Sequence, residues 1–188
     1  WVLPTVPALI AGHVLCEYAA LWQWRFLFDL PLAAIGLLLS WRWELRKSFQ
    51  ARLLAILHVA FLWFGIGLAL YGVDSLLLLS AAGSPLGRAP LHALGIGLVA
   101  AMTLAMASRV SLGHSGRPLV AGPLVWLCGW GLHLSALLRV LGELPFTAPV
   151  LGLPITLWAA LVWLASVLPW VWQFAPVYLR PRSDGRPG

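Results

Sequence analysis

Charge is scarce in this sequence. Only 12 basic and 6 acidic side chains are spread over 188 residues, 10% in all, against roughly a quarter in an average soluble domain. So few charges cannot cover a water-facing surface on a chain of this length, which excludes an ordinary soluble fold, whereas lipid-facing helices need no such cover. Cysteine is nearly absent too. Cys16 and Cys128 each sit inside an apolar run, which excludes a disulfide framework and a CxxC pair. No Gly-rich phosphate loop, zinc-protease motif or nucleophile–base–orienter set occurs, so whether the chain is an enzyme stays open. No charged leader with a cleavage site precedes the first apolar run; a chain opening on Trp1 reads as the later part of a longer protein.

What is present is apolar: 61% of residues are hydrophobic, mean hydropathy is +0.90, and there are 12 tryptophans. Six windows approach the roughly 20 residues of a membrane helix: 3–21, 25–41, 52–76, 90–109, 119–141 and 151–176. Charged, glycine or proline residues punctuate them, as in Arg42 to Arg52 and Gly83 to Pro90. The expected fold is all-α, a polytopic transmembrane bundle of about six helices over residues 1–179 with a short polar tail at 180–188.

Positive charge orients the bundle. Arg42, Arg46, Lys47, Arg52, Arg109, Arg117, Arg180, Arg182 and Arg186 fall on one side, and Arg25, Arg88 and Arg139 on the other. The first side is therefore cytoplasmic and carries the carboxyl terminus. The net charge of +6 thus serves topology, and nucleic acid is not an expected partner. Trp22 and Trp24 mark the outer boundary, and Trp41, Trp43, Trp170 and Trp172 the inner one; Trp24 to Trp41 spans about 25 Å of helix. Asp74, near the outer end of its helix, is expected at the interface.

Ionisable groups inside spans are costly and mark candidate sites. His13, His58, His92 and His133 qualify. His58 shares a helical stripe with Gly65 and Gly72, and His133 lies near Gly129 and Gly122, which leaves room for a flat macrocycle or for close helix packing. His13, Cys16 and Glu17 share one face, suited to a metal or to a His–Glu hydrogen bond. Met102 and Met106 suit Cu(I) or simple packing. The segment Arg109 to Pro118 gathers Arg109, His114, Arg117, two serines and two glycines as a loop at the cytoplasmic boundary, able to hold a phosphate or a haem propionate, or to act as a positive anchor with a tight turn.

That segment, "RVSLGHSGRPL", resembles the signature of the NnrS family of bacterial membrane proteins. "LHVAFLWFGIGLAL" (57–70), "APLHALGIGLVAAMTLAMASR" (89–109) and "PRSDGRPG" (181–188) are similar to further segments of that family, in the same order. The matching positions are His58, His92, Arg109, Gly113, His114, Gly116, Arg117, Asp184 and Gly185, with Ser115 where the family usually has threonine. The resemblance implies a multi-pass protein of the bacterial inner membrane that binds haem and copper and acts in the response to nitric oxide and nitrosative stress. It also implies a family of longer chains, so that this one is the carboxyl-terminal half of an about twelve-helix protein, without the amino-terminal segment resembling HxHEM. Its expected partners are then membrane lipid, nitric oxide and the missing half. His92 and His133 are expected to share a haem, with His58 at another level. The competing readings are a transporter with a proton-linked His13–Glu17 pair, and a structural subunit whose polar residues only hold helices together.

Overall fold

The computed structural model describes residues 2–80, 83, 86–183 and 185. Among these, six long helices make up the architecture: α1 (Val2–Tyr18), α2 (Phe26–Arg42), α3 (Arg52–Leu79), α4 (Ala89–His114), α5 (Pro123–Leu141) and α6 (Ile155–Tyr178). Short turns at Trp22–Trp24 and Leu45–Ser48 bridge the first three. No strand occurs among the described residues, and one isolated bridge joins Val150 to Leu153. The six expected windows thus coincide with six helices, and the leucine run after Ser75 continues α3 to Leu79.

Four of these helices, α3 to α6, are long and apolar enough to cross a membrane. The other two have 17 residues each, about 25 Å, at the lower limit for a span. Their shortness has a local cause: the chain between them turns at Ala20, in a left-handed conformation, before the Trp22–Trp24 turn.

Helix α3 is central. It packs against α2 on one side and α4 on another; α5 packs on α4 and α6, and α1 rests on α2. Small residues set these distances. A Cβ on Gly36 of α2 would lie 3.3 Å from the Gly65 Cα of α3, so the two backbones touch, the usual way helices associate in lipid. The main core joins Leu53, Ala60, Leu104, Val125, Leu132 and Phe174; a second cluster gathers around Trp63, and a third around Leu32 and Leu68. Trp22, Trp24, Trp41, Trp43 and Trp172 are exposed, as aromatic belts require. Helix α6 turns Leu161, Leu164 and Leu168 outward and is the least enclosed of the four long helices.

Inside α4, residues Ala93–Ala100 form a π-helix rather than an α-helix. Widened turns of this kind occur at functional sites, and here the Trp63 indole packs where a Cβ on Gly97 would sit.

Candidate functional site

Polar groups gather at three levels of the bundle. At the end of α1, α2 and α3 that carries few basic loops, His13 Nδ1 donates to Asp29 Oδ1 at 2.6 Å. Arg25 pairs with Glu17 and stands 3.7 Å from Asp74 Oδ2, with its guanidinium 4.9 Å from the centre of the Tyr71 ring. The Ser75 hydroxyl donates to the Trp22 carbonyl at 2.8 Å and accepts from the Phe26 amide at 3.0 Å, which pins the α1–α2 turn to α3. Asp29 is fully buried, and Arg25 and Asp74 nearly so. Asp74 is therefore not an interface residue: Arg25 folds inward from the turn and supplies the counter-charge that lets it be buried. The partner of His13 is also not Glu17 on its own helix but Asp29 across the α1–α2 contact. Cys16 is buried and stands free of disulfides.

A second group lies where α4 begins and α5 ends. The Glu143 carboxylate accepts from Arg139 Nη1 at 2.5 Å and from the Arg88 amide at 3.2 Å, and His92 Nε2 is 3.4 Å away without hydrogen-bond geometry. Burial pushes the Glu143 carboxyl up, but the Arg88 amide, the Arg139 guanidinium and His92 together outweigh it and hold it below the ordinary carboxylate range.

His133 stands alone at the middle of α5. It is buried, its ring meets Trp130 edge-on at 5.7 Å, and the Ile56 carbonyl of α3 is nearby without hydrogen-bond geometry. Neither ring nitrogen makes a hydrogen bond among the described residues. His92 faces Glu143, ten residues after His133 and just past the end of α5, so the two histidines stand at different levels. His58 has both nitrogens directed at carbonyls, Nδ1 at Leu54 (2.9 Å) and Nε2 at Trp43 (3.2 Å), only one of which a neutral ring can donate to.

The glycine stripes are filled except at Gly122, where an added Cβ would meet nothing within 4 Å. Positions where Cβ atoms on Gly65, Gly72 and Gly129 would sit are taken by Leu37, Leu30 and Ile56, so these glycines admit knobs from neighbouring helices rather than leave a groove beside an imidazole. Met102 packs against the core and Met106 is exposed. Among the described residues no group of three His, Cys, Asp or Glu side chains is arranged to hold a metal ion.

At the basic end, Arg109 to His114 is helix rather than loop. The chain leaves α4 through a Schellman-type closure in which Gly116, at φ 71°, directs its amide to the Gly113 carbonyl and Arg117 directs its amide to Leu112. The tail folds back: the Ser183 amide and hydroxyl both donate to the Ser115 carbonyl at 2.9 Å, and Ser111 meets the Tyr178 hydroxyl. His114, Arg180 and Arg182 share one small cavity with Ser111 and Ser115, and Arg109 lines the next. Asp184 and Arg186 lie outside the described residues.

This arrangement of a six-helix membrane bundle closed by the 109–117 segment coincides with a family-model match to the NnrS protein over residues 1–182. The chain belongs to the NnrS family. The match extends the similarity seen in the sequence from α3 onward to α1 and α2, so the His13–Asp29 and Arg25 cluster also lies inside the family's extent. No curated protein and no solved structure is significantly similar to the chain.

Sequence reasoning missed Asp29, Arg25 and Glu143 as site residues. An acidic residue in the first turn of an apolar window was the available signal for Asp29. The Arg139–Glu143 spacing of four was the signal for Glu143.

Proposed function

We propose that this chain is the haem- and copper-holding part of an inner-membrane protein of the nitric oxide and nitrosative-stress response, with His133 its leading metal ligand. What supports this is the His133 imidazole, buried in mid-helix with both nitrogens lacking hydrogen bonds among the described residues. Leaving a buried polar group unsatisfied costs about 1–3 kcal/mol, and a metal–nitrogen bond at one nitrogen relieves part of that. The donor chemistry therefore fits a nitrogen ligand that would hold iron or copper. The glycine stripe does not fit as the seat of a macrocycle, since Ile56 fills the space at Gly129.

His13, His58 and His92 are further candidate metal ligands, each offering one donor to a site completed by other parts of the protein. His58 must release one carbonyl to do so. When bound, haem supplies an iron centre that either takes a diatomic ligand or passes electrons. The protein's own part is to hold the imidazole dry and in a fixed orientation, through the Trp130 edge and the α3–α5 contact. The segment with Arg109, His114 and Arg117 lies beyond the start of α5, about 15 Å along the helix axis from His133.

The test is optical. In the protein purified from membranes, His133→Ala is expected to lose haem absorbance and haem content while helical content is kept, with His58→Ala as comparison. Unchanged spectrum and content in His133→Ala would overturn the assignment.

The His13–Asp29 pair beside Arg25 favours a second reading, a proton-linked carrier, because a part-buried imidazole on a buried carboxylate inside a bundle can exchange a proton. Solute uptake by proteoliposomes free of haem would select it.

A further inference from the structure

Where α4 and α6 end side by side, Arg117, Arg180 and Gln173 line one cavity of ≈ 290 Å³, walled by Leu112, Phe174 and Val177. Arg117 Nη1 is buried and has no hydrogen-bond partner among the described residues. A buried charged donor without an acceptor is costly, so this position calls for an anion. Among the described residues no carboxylate lines this cavity or its two neighbours, to which Arg109, His114 and Arg182 contribute. Helix carboxyl ends ordinarily repel anions. Here the carbonyls of Leu112, Gly113 and Ser115 already accept from the amides of Arg117, Gly116 and Ser183, which weakens that repulsion.

We propose that this cavity binds a phosphate group, presented by an anionic phospholipid of the leaflet at the basic end. Guanidinium forks match phosphate oxygens, and two arginines from separate elements, the 115–122 linker and the segment after α6, line the cavity. The apolar walls accept the carbons next to the phosphate, which inorganic phosphate cannot exploit. Trp172 and Leu179 are strongly exposed on the same end of α6, which sets the cavity at headgroup depth. The Ser183–Ser115 clasp holds the tail against α4 and so fixes Arg180. The larger cavity at this end, ≈ 460 Å³ beside the α2–α3 linker, differs in that Glu44 lines it and pairs with Lys47.

The experiment is native mass spectrometry of the full protein released from vesicles of phosphatidylcholine alone or mixed with phosphatidylglycerol. Phosphatidylglycerol is expected to stay bound, phosphatidylcholine not, and millimolar inorganic phosphate is expected not to displace the lipid. Arg117→Gln with Arg180→Gln should weaken retention on the order of tenfold or more, the worth of one to two charge-assisted hydrogen bonds. Arg42→Gln with Arg46→Gln removes the same charge from the same end and should change it by no more than about twofold. If the Arg117 variant fails to fold, Arg180→Gln alone, at an exposed position, carries the same expectation at smaller size. Equal retention of the two lipids, equal loss in both double variants, or ready displacement by inorganic phosphate would each overturn the proposal.

Discussion

Arg25→Gln is the substitution on which the buried charge cluster makes its strongest demand. Arg25 is buried, pairs with Glu17, lies 3.7 Å from the buried Asp74 and covers the Tyr71 ring at 4.9 Å. Removing one member of a buried ion pair costs about 3–5 kcal/mol because the other charge stays behind. The 3.7 Å separation argues for the lower end, about 3 kcal/mol, and the half-exposed Glu17 adds little. Losing the contact with the Tyr71 face adds about 0.5–1 kcal/mol. The total of about 3–4 kcal/mol should lower the midpoint of thermal unfolding by roughly 6–16 °C at 2–4 °C per kcal/mol. The assay is heating in mild detergent, followed by the fraction that still elutes as a folded species. Asp74→Asn added to Arg25→Gln should recover part of the loss, since it removes the stranded charge. A fall under about 2 °C, or a double variant worse than the sum of the singles, would refute the reasoning.

Three further outcomes follow from contacts elsewhere. Gly65→Ala places a Cβ 2.8 Å from the Leu37 side chain and 3.1 Å from its backbone nitrogen, so α2 must shift and thermal stability should fall by about 1–3 kcal/mol; Gly113→Ala, 3.5 Å from Leu119, should be nearly neutral. The Glu143 carboxyl is held below its ordinary pKa, so its contribution is full above about pH 4.5 and is lost as pH falls through the lowered value. Unfolding midpoints measured between about pH 3 and 6 should show a step that Glu143→Gln removes. Ser108→Ala deletes the acceptor for Trp170 Nε1 at 2.8 Å and should cost about 1 kcal/mol in the same assay.

The helices were legible because apolar length and punctuation belong to one segment at a time, and all six windows became helices. The candidate site was legible only in part, because partners across helices are not written along one helix. His13 and Glu17 share a face by spacing, yet each finds its partner beyond α1, in Asp29 and Arg25. Arg25 read as a topological loop charge and Asp74 as an interface acid, since neither position reveals that the turn folds its guanidinium into the bundle. The glycine stripes promised space, and whether space survives depends on the residue opposite: Leu37, Leu30 and Ile56 occupy it. The π-helical turns at Ala93–Ala100 have no periodicity signal in so uniformly apolar a stretch. The basic segment was recognised by composition, but its helical first half and the tail that clasps it depend on the Gly116 turn and on Ser183.

Imidazoles in this bundle, His133 foremost, are proposed to hold iron or copper. A redox difference spectrum and a metal analysis of one sample of the intact purified protein test it most directly. Haem bands that change on reduction and stoichiometric iron or copper are expected, both diminished by His133→Ala. A colourless, metal-free protein that is folded and fully active would contradict it.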